Sequence, residues 1–412
     1  MEKLANTDFE KLLQLKDPWR IEEVSFDNTS RIDIKIKYDS SRGICPQCSS
    51  TCKLHDRRTS REWRHLNTME YETYINCCLP RVKCVSCHKI LTISIPWSES
   101  RNGFTLKFEN YAIDILRTSW SVEEARKLLN INWHQLNGIK KRAVNRGLTR
   151  RQSVTIKNIG IDEKSYAKGH TYTSILNDLD NSRVIDLVEG KKQEDTKKLI
   201  MQGLKVGQRS SVDAVAIDMY KGYQSAIEEV LPEAKIVHDK FHISKHLNEA
   251  VDKTRRREHK MLLRDFNESL SGLRYEFLKN SESLDPELLD MFKEFEQAEY
   301  KTAIAWQLKE LFRFFWKYKY RNWAKKFFYK WYDKVISSEL FHVKKVAEMI
   351  KKRLPNVLNY FNYRITNAKS EGLNSKIQTV QSNSRGFRSF ENLRVAVLFY
   401  CGKLDMKHEF PL

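Results

Sequence analysis

The chain has 412 residues, 73 of them Lys or Arg against 53 Asp or Glu, for a formal charge of +20 at pH 7. A hydrophobic share of 41% with 9 Trp is enough to build real cores and excludes wholesale disorder. The longest apolar run, Val395 to Cys401, falls far short of the ~18 residues that span a bilayer, and MEKLANTDFEKLLQ lacks a signal-peptide block, so a soluble intracellular protein is expected. Surplus positive charge of this size points to a polyanionic partner, nucleic acid first, with a lysine-rich solvated surface as the plainer alternative. Eight Cys are too sparse for a disulfide scaffold and read as metal ligands.

Residues 1–100 carry every Cys except Cys401. RIDIKIKY, Arg31 to Tyr38, puts Ile32, Ile34 and Ile36 on one face, the alternation of a half-buried strand. Cys45-Pro-Gln-Cys48 and Cys84-Val-Ser-Cys87 are two C-x-x-C knuckles with 35 residues between them. Each offers two thiolates from one tight turn, and together they suit a tetrahedral, structural Zn²⁺ with no open position. The spacer is longer than usual and must hold a small sheet, to which the stretch Tyr71 to Ile75 would contribute. Cys52, Cys77, Cys78 and His55 could each replace one ligand.

Residues 101–153 turn helical. Ser121 with Glu124 fits a capping box, and Asn132 with Gln135 repeats the signal after the short link LNIN. Two short helices so joined suggest a helix-turn-helix, and Lys140, Lys141, Arg142 and Arg146 are the candidate phosphate contacts, unless they form only a solvated face. Residues 154–243 alternate: NIGIDE, TYTSILNDLD and SRVIDLVEG read as strands, EDTKKLIMQGL as a helix, VDAVAIDMY as a strand, YQSAIEEVL as a helix and AKIVHD as a strand. That order describes a mixed α/β sheet. Residues 244–365 are almost wholly helical in pattern, and 366–412 close the chain with further helix. In the helical block Leu308, Phe312, Phe315, Trp316, Trp323, Phe327 and Trp331 recur at core spacing, with Lys325 and Lys326 between them as a possible DNA-facing surface.

Asp162 and Asp218 each end an apolar strand, and strand-terminal carboxylates side by side can hold divalent cations. Glu371, opening an amphipathic helix in NAKSEGLNSKIQ, is a candidate third ligand, and hard oxygens favour Mg²⁺ or Mn²⁺. Glu163 and Asp213 lie at odd offsets from Asp162 and Asp218 and face the other side of the pleat.

Over nearly its full length the chain resembles the DDE transposases of bacterial insertion sequences, the ISL-three group. The resemblance rests on CPQC and CVSC, on IGIDEKSYAKGHTY, on AIDMYKGYQSAIEEVLPEAKIVHDKFHISKHLNEAVDKTRR and on ITNAKSEGLNSKIQTVQSNSRGFRSFENLRVAVLFYCG. It implies a multidomain α+β protein. A zinc-ribbon-like module and a helix-turn-helix would precede a ribonuclease H-like core interrupted by an all-helical insertion. It further implies that Asp162, Asp218 and Glu371 are the catalytic, metal-binding triad for two Mg²⁺ or Mn²⁺. Asp239 and His242 resemble an Asp-x-x-His element whose His sits by DNA. The implied activity is cleavage and strand transfer at the terminal inverted repeats, by a homodimer or higher assembly on double-stranded DNA, in the bacterial cytoplasm at the nucleoid. A non-catalytic DNA-binding regulator is the alternative. The sequence departs from the family at Ser49 and His88, which follow the knuckles where Gly is usual and where a positive φ is often needed.

Overall fold

The computed structural model describes residues 6–27, 30–99, 102–152, 154–167, 171–266, 270–365, 368–384 and 386–409. The chain divides into two compact units, Met1–Arg150 with Asp405–Leu412, and Arg151–Leu404.

The first unit opens with α1 (Asn6–Leu13) and then the strands β1 (Trp19–Phe26), β2 (Arg31–Tyr38), β3 (Arg42–Ile44), β4 (Thr51–Arg64), β5 (Glu72–Cys84) and β6 (Lys89–Thr92). They form one sheet in the order β1-β2-β5-β4-β3, with β6 also on β5 and only the β2–β5 pairing parallel. The alternation read in RIDIKIKY holds: Ile32, Ile34 and Ile36 are buried together with Trp19, Trp63 and Ile75. Trp97 packs edge-on against both Trp19 and Trp63. The long pair β4–β5 fills the spacer between the two knuckles.

Three helices follow: α2 (Leu106–Ser119), α3 (Val122–Leu129) and α4 (Trp133–Arg150). Both expected caps are made, Ser121 accepting from the Glu124 amide at 3.3 Å and Asn132 exchanging bonds with Gln135 at 2.9 Å. Burial corrects the expected phosphate contacts on α4. Lys140 is only 4% exposed, and its ammonium is pushed down to about 8 by that burial. Arg142 and Arg146 turn inward onto the fully buried carboxylate of Glu109, where His408 also reaches it at 2.9 Å. A buried carboxylate demands such partners, so these two arginines are consumed by the fold.

The second unit contains β7 (Asn158–Ala167), β8 (Thr171–Asp178), β9 (Arg183–Glu189), α5 (Gln193–Gly203), α6 (Val206–Arg209), β10 (Ala214–Ile217), α7 (Lys221–Val230) and β11 (Lys235–His238). The five strands run in the order β11-β10-β7-β8-β9, antiparallel across β7-β8-β9 and parallel across β7-β10-β11. Ile159, Ile161, Leu176, Val215 and Ile217 pack under Leu199 and Ile200 of α5 and Tyr223 and Ile227 of α7.

From β11 the chain enters α8 (Lys240–Asp265), then α9 (Arg274–Leu278), α10 (Pro286–Gln297), α11 (Lys301–Arg313), α12 (Arg321–Ser337), α13 (Phe341–Lys352), α14 (Leu354–Leu358) and α15 (Tyr360–Tyr363). Their shared core is aromatic, with Phe277, Phe312, Phe315, Phe328 and Trp331 almost completely buried. Of the expected core stripe, Leu308, Phe312, Phe315, Trp316 and Trp331 are buried and Phe327 packs at the margin, but Trp323 is 59% exposed. Trp323 lies in the first turn of α12, one position before the buried Ala324, and so on the outer side. The chain finishes with α16 (Ala368–Asn383) and α17 (Phe390–Cys401), the latter tied to β9 by Arg394 on Asp186 at 2.7 and 2.9 Å.

Candidate active site and metal centre

Each unit holds one set of candidate metal-ligating side chains. In the first unit the turns linking β3 to β4 and β5 to β6 present the knuckles. Cys45, Cys48, Cys84 and Cys87 bring their sulfurs within 4.8 Å of one another. Cys45 and Cys87 are 4.0 Å apart and Cys48 and Cys84 3.5 Å. Four sulfurs each ~2.3 Å from a tetrahedral centre would sit ~3.8 Å apart, so the set fits Zn²⁺. Ser49 and His88 do adopt the left-handed backbone that the turns need, with φ of 59° and 52°. Both knuckles close without glycine. Of the rival ligands, Cys52 is buried beside the cluster, whereas Cys77 is buried further along β5, opposite Ile36 and Arg61.

In the second unit Asp162 lies within β7 and Asp218 follows directly after β10. The parallel pairing of the two strands runs as far as Ala216 with Gly160, and just beyond it the two carboxylates feel each other's charge. Ile161 and Ile217 face α5 and α7, and alternation along β7 turns Asp162 to the opposite face. Glu163 is on the α5–α7 side, paired with Lys191 at 3.3 Å, and Asp213 is exposed.

The open face is occupied by α16. Asn374 donates through Nδ2 to Asp162 Oδ2 at 2.6 Å, and Lys164 Nζ donates to the Asn374 carbonyl at 2.7 Å. One turn earlier, Asn177 of β8 donates to the buried hydroxyl of Ser370 at 3.3 Å. Glu371 lies between these two anchors, in the first turn of α16, and is exposed. Among the described residues Asp162, Asp218 and Glu371 are not drawn together within 4.8 Å as the four cysteines are.

Burial raises the Asp218 carboxyl above its ordinary range, and the like charges of Glu163 and Asp162 add to the rise. A hydrogen bond from the Tyr220 amide at 2.7 Å and the nearby His242 oppose it. A partly buried carboxylate with other carboxylates for neighbours is an environment that a divalent cation relieves. His242 and His246 stand on consecutive turns of α8, and both feel the Asp218 charge. Behind them, His238 Nδ1 lies 3.1 Å from the Asp218 carbonyl, and burial pushes this imidazole down to about 4, which keeps it neutral. Asn374, Ser370, Asn177 and Lys164 escaped the reading of the sequence. A spacing of three between Glu371 and Asn374, on one helix face, was the signal that could have found the first of them.

Lys325 and Lys326 are exposed on α12, and Lys326 lies over the Trp323 ring at 5.3 Å. No described helix is long and apolar enough to cross a membrane.

A family model described as a transposase, of the ISL3 DDE type, matches residues 159–397. A second, described as the zinc-finger of transposase IS204/IS1001/IS1096/IS1165, matches residues 41–87. The chain is 23% identical over 389 residues to the transposase for insertion sequence element IS1001 of Bordetella parapertussis, covering 92% of this chain and 95% of that one. It is 26% identical over 217 residues to the transposase for insertion sequence element IS1557 of Mycobacterium tuberculosis, about half of each chain (52% and 48%).

Proposed function

The chain belongs to the ISL3-type family of DDE transposases, and on that premise we propose that it cuts and rejoins DNA at the ends of its own insertion sequence. The observation that supports the reading is that Asp162 on β7 and Asp218, just past the end of the parallel strand β10, feel each other's charge, while the helix that carries Glu371 is hydrogen-bonded to Asp162. The strand order β9-β8-β7-β10-β11, three antiparallel and then two parallel, supports a ribonuclease H-like core for this unit.

Asp162, Asp218 and Glu371 would hold two divalent cations, Mg²⁺ or Mn²⁺, since all three offer hard oxygens. Bound there, such cations neutralise the phosphodiester and make a hydroxyl nucleophilic near neutral pH. The protein's own share is placement. Asp162 is fixed by Asn374 and by the Glu163 amide, Asp218 by the Tyr220 amide. His242, on the first turn of α8 and near Asp218, would meet the DNA strand there.

The zinc-ribbon and the capped helices α3 and α4 would recognise the element ends as a helix-turn-helix module, and Lys141 remains its candidate phosphate contact. Lys325 and Lys326 would neutralise phosphates along the insertion. Holding two ends at once implies at least a homodimer. The test is strand cleavage of labelled DNA spanning both junctions of the element, in Mg²⁺ or Mn²⁺ against Ca²⁺. Metal-dependent nicking at one fixed position, lost in Asp218→Asn while end binding persists, is the expected result. Specific binding without any nicking would make the protein a regulator instead.

A further inference from the structure

We propose that Asn374 is a positioning residue of the carboxylate centre, locking Asp162 to the turn of α16 that carries Glu371; the inference rests on the role given above to those two carboxylates. Among the described residues each Asp162 oxygen accepts one hydrogen bond, Oδ2 from Asn374 Nδ2 at 2.6 Å and Oδ1 from the Glu163 amide at 2.8 Å. A carboxylate held at both oxygens cannot rotate, yet each oxygen keeps a further lone pair for a cation. The amide has only one attractive orientation here, because turning it over would set Oδ1 against the carboxylate.

The same residue is also held by its main chain, since Lys164 donates to its carbonyl at 2.7 Å. Asp162 and Lys164 are two apart on β7 and therefore share a face. One strand face thus grips one residue of α16 twice, through its side chain and through its backbone. Glu371 is three residues earlier on the same helix face, so the grip sets its distance from Asp162. The remaining Asn374 oxygen, Oδ1, is buried and has no hydrogen-bond partner among the described residues. An acceptor beside carboxylates adds to a surrounding that favours positive charge.

The test uses the full-length protein and reads Mn²⁺ affinity from the electron-paramagnetic signal of the free ion, without DNA, alongside nicking and a thermal melt. Asn374→Ala should weaken Mn²⁺ binding 10- to 100-fold, the range seen when the partner of a ligand is removed. Asp162→Asn should weaken it too, and adding Asn374→Ala to that variant should bring no further loss. Asn374→Leu, which fills the same space without the amide, should reproduce the alanine result if alanine itself lowers the melting point. Wild-type Mn²⁺ affinity in both Asn374 variants, or losses that multiply in the double variant, would overturn the proposal. Unchanged Mn²⁺ affinity in Asp162→Asn alone would instead overturn the carboxylate centre itself.

Discussion

The four-cysteine cluster and the carboxylate centre handle metal-capable side chains in opposite ways. The cysteines come from two turns fixed by hairpins of one sheet, and their sulfurs already stand at the spacing of a tetrahedron. The carboxylates come from two strands and a distant helix, with Glu371 exposed and the set more open. Thiols can share protons and crowd together, whereas carboxylates brought equally close repel one another. A closed set of four ligands serves folding. An open one leaves room for substrate oxygens.

The largest effect should come from breaking the closed site. Cys48→Ser is expected to release zinc, measured as metal per chain by mass spectrometry, and to unfold the first unit with loss of end binding. Structural zinc supports small modules by roughly 10 kcal/mol or more. At the open site the sign reverses. Asp218→Asn should abolish nicking yet raise stability at pH 7, by about 0.5–2 kcal/mol in a melt without added divalent cation. Burial and like charges raise this carboxyl, so its ionisation costs stability above its folded pKa, and the asparagine removes that cost.

Acid titration reaches each unit through a different buried histidine. His65 in the first, bonded to Thr105 at 2.9 Å, and His238 in the second are both pushed down to about 4 by burial. Each is neutral when folded but takes up a proton near 6.5 when unfolded, so stability should fall as pH drops from 6.5 towards 4. Chemical denaturation across that range checks it, and His238→Asn should flatten the slope for the second unit alone. The smallest effect belongs to the surface. Replacing Lys325 and Lys326 with alanine should lower the slope of log affinity against log salt by about 2 and leave nicking on bound DNA intact.

Much of this was legible in the sequence, and the reasons are local. The strand RIDIKIKY, the caps at Ser121 and Asn132, and every strand and helix from Asn158 to His238 except the single turn α6 follow from periodicity and capping chemistry. Asp162 and Asp218 were readable because each follows an apolar run, although β7 continues to Ala167 and so holds Asp162 within the strand rather than at its end, while Asp218 follows β10. What stayed hidden depended on pairing across long separations. Arg142 and Arg146 look like DNA contacts until Glu109, 33 and 37 residues away, is found buried beneath them. Trp323 looks like core because spacing near three or four cannot tell the inner side of a helix from a position one step off it. Asn374 is silent because its partner, Asp162, lies 212 residues earlier.

The Glu109 network has a consequence for how the protein is made. Arg142 and Arg146 are available as soon as α4 leaves the ribosome, but His408 lies 299 residues after Glu109. At a synthesis rate of about 5–20 residues per second, that gap is roughly 15–60 s. For that time the nascent first unit holds a carboxylate whose set of donors is incomplete, while the whole second unit is being translated. A transcript cut short before His408 would therefore yield a shortened chain whose N-terminal unit lacks the last contact of its own interior.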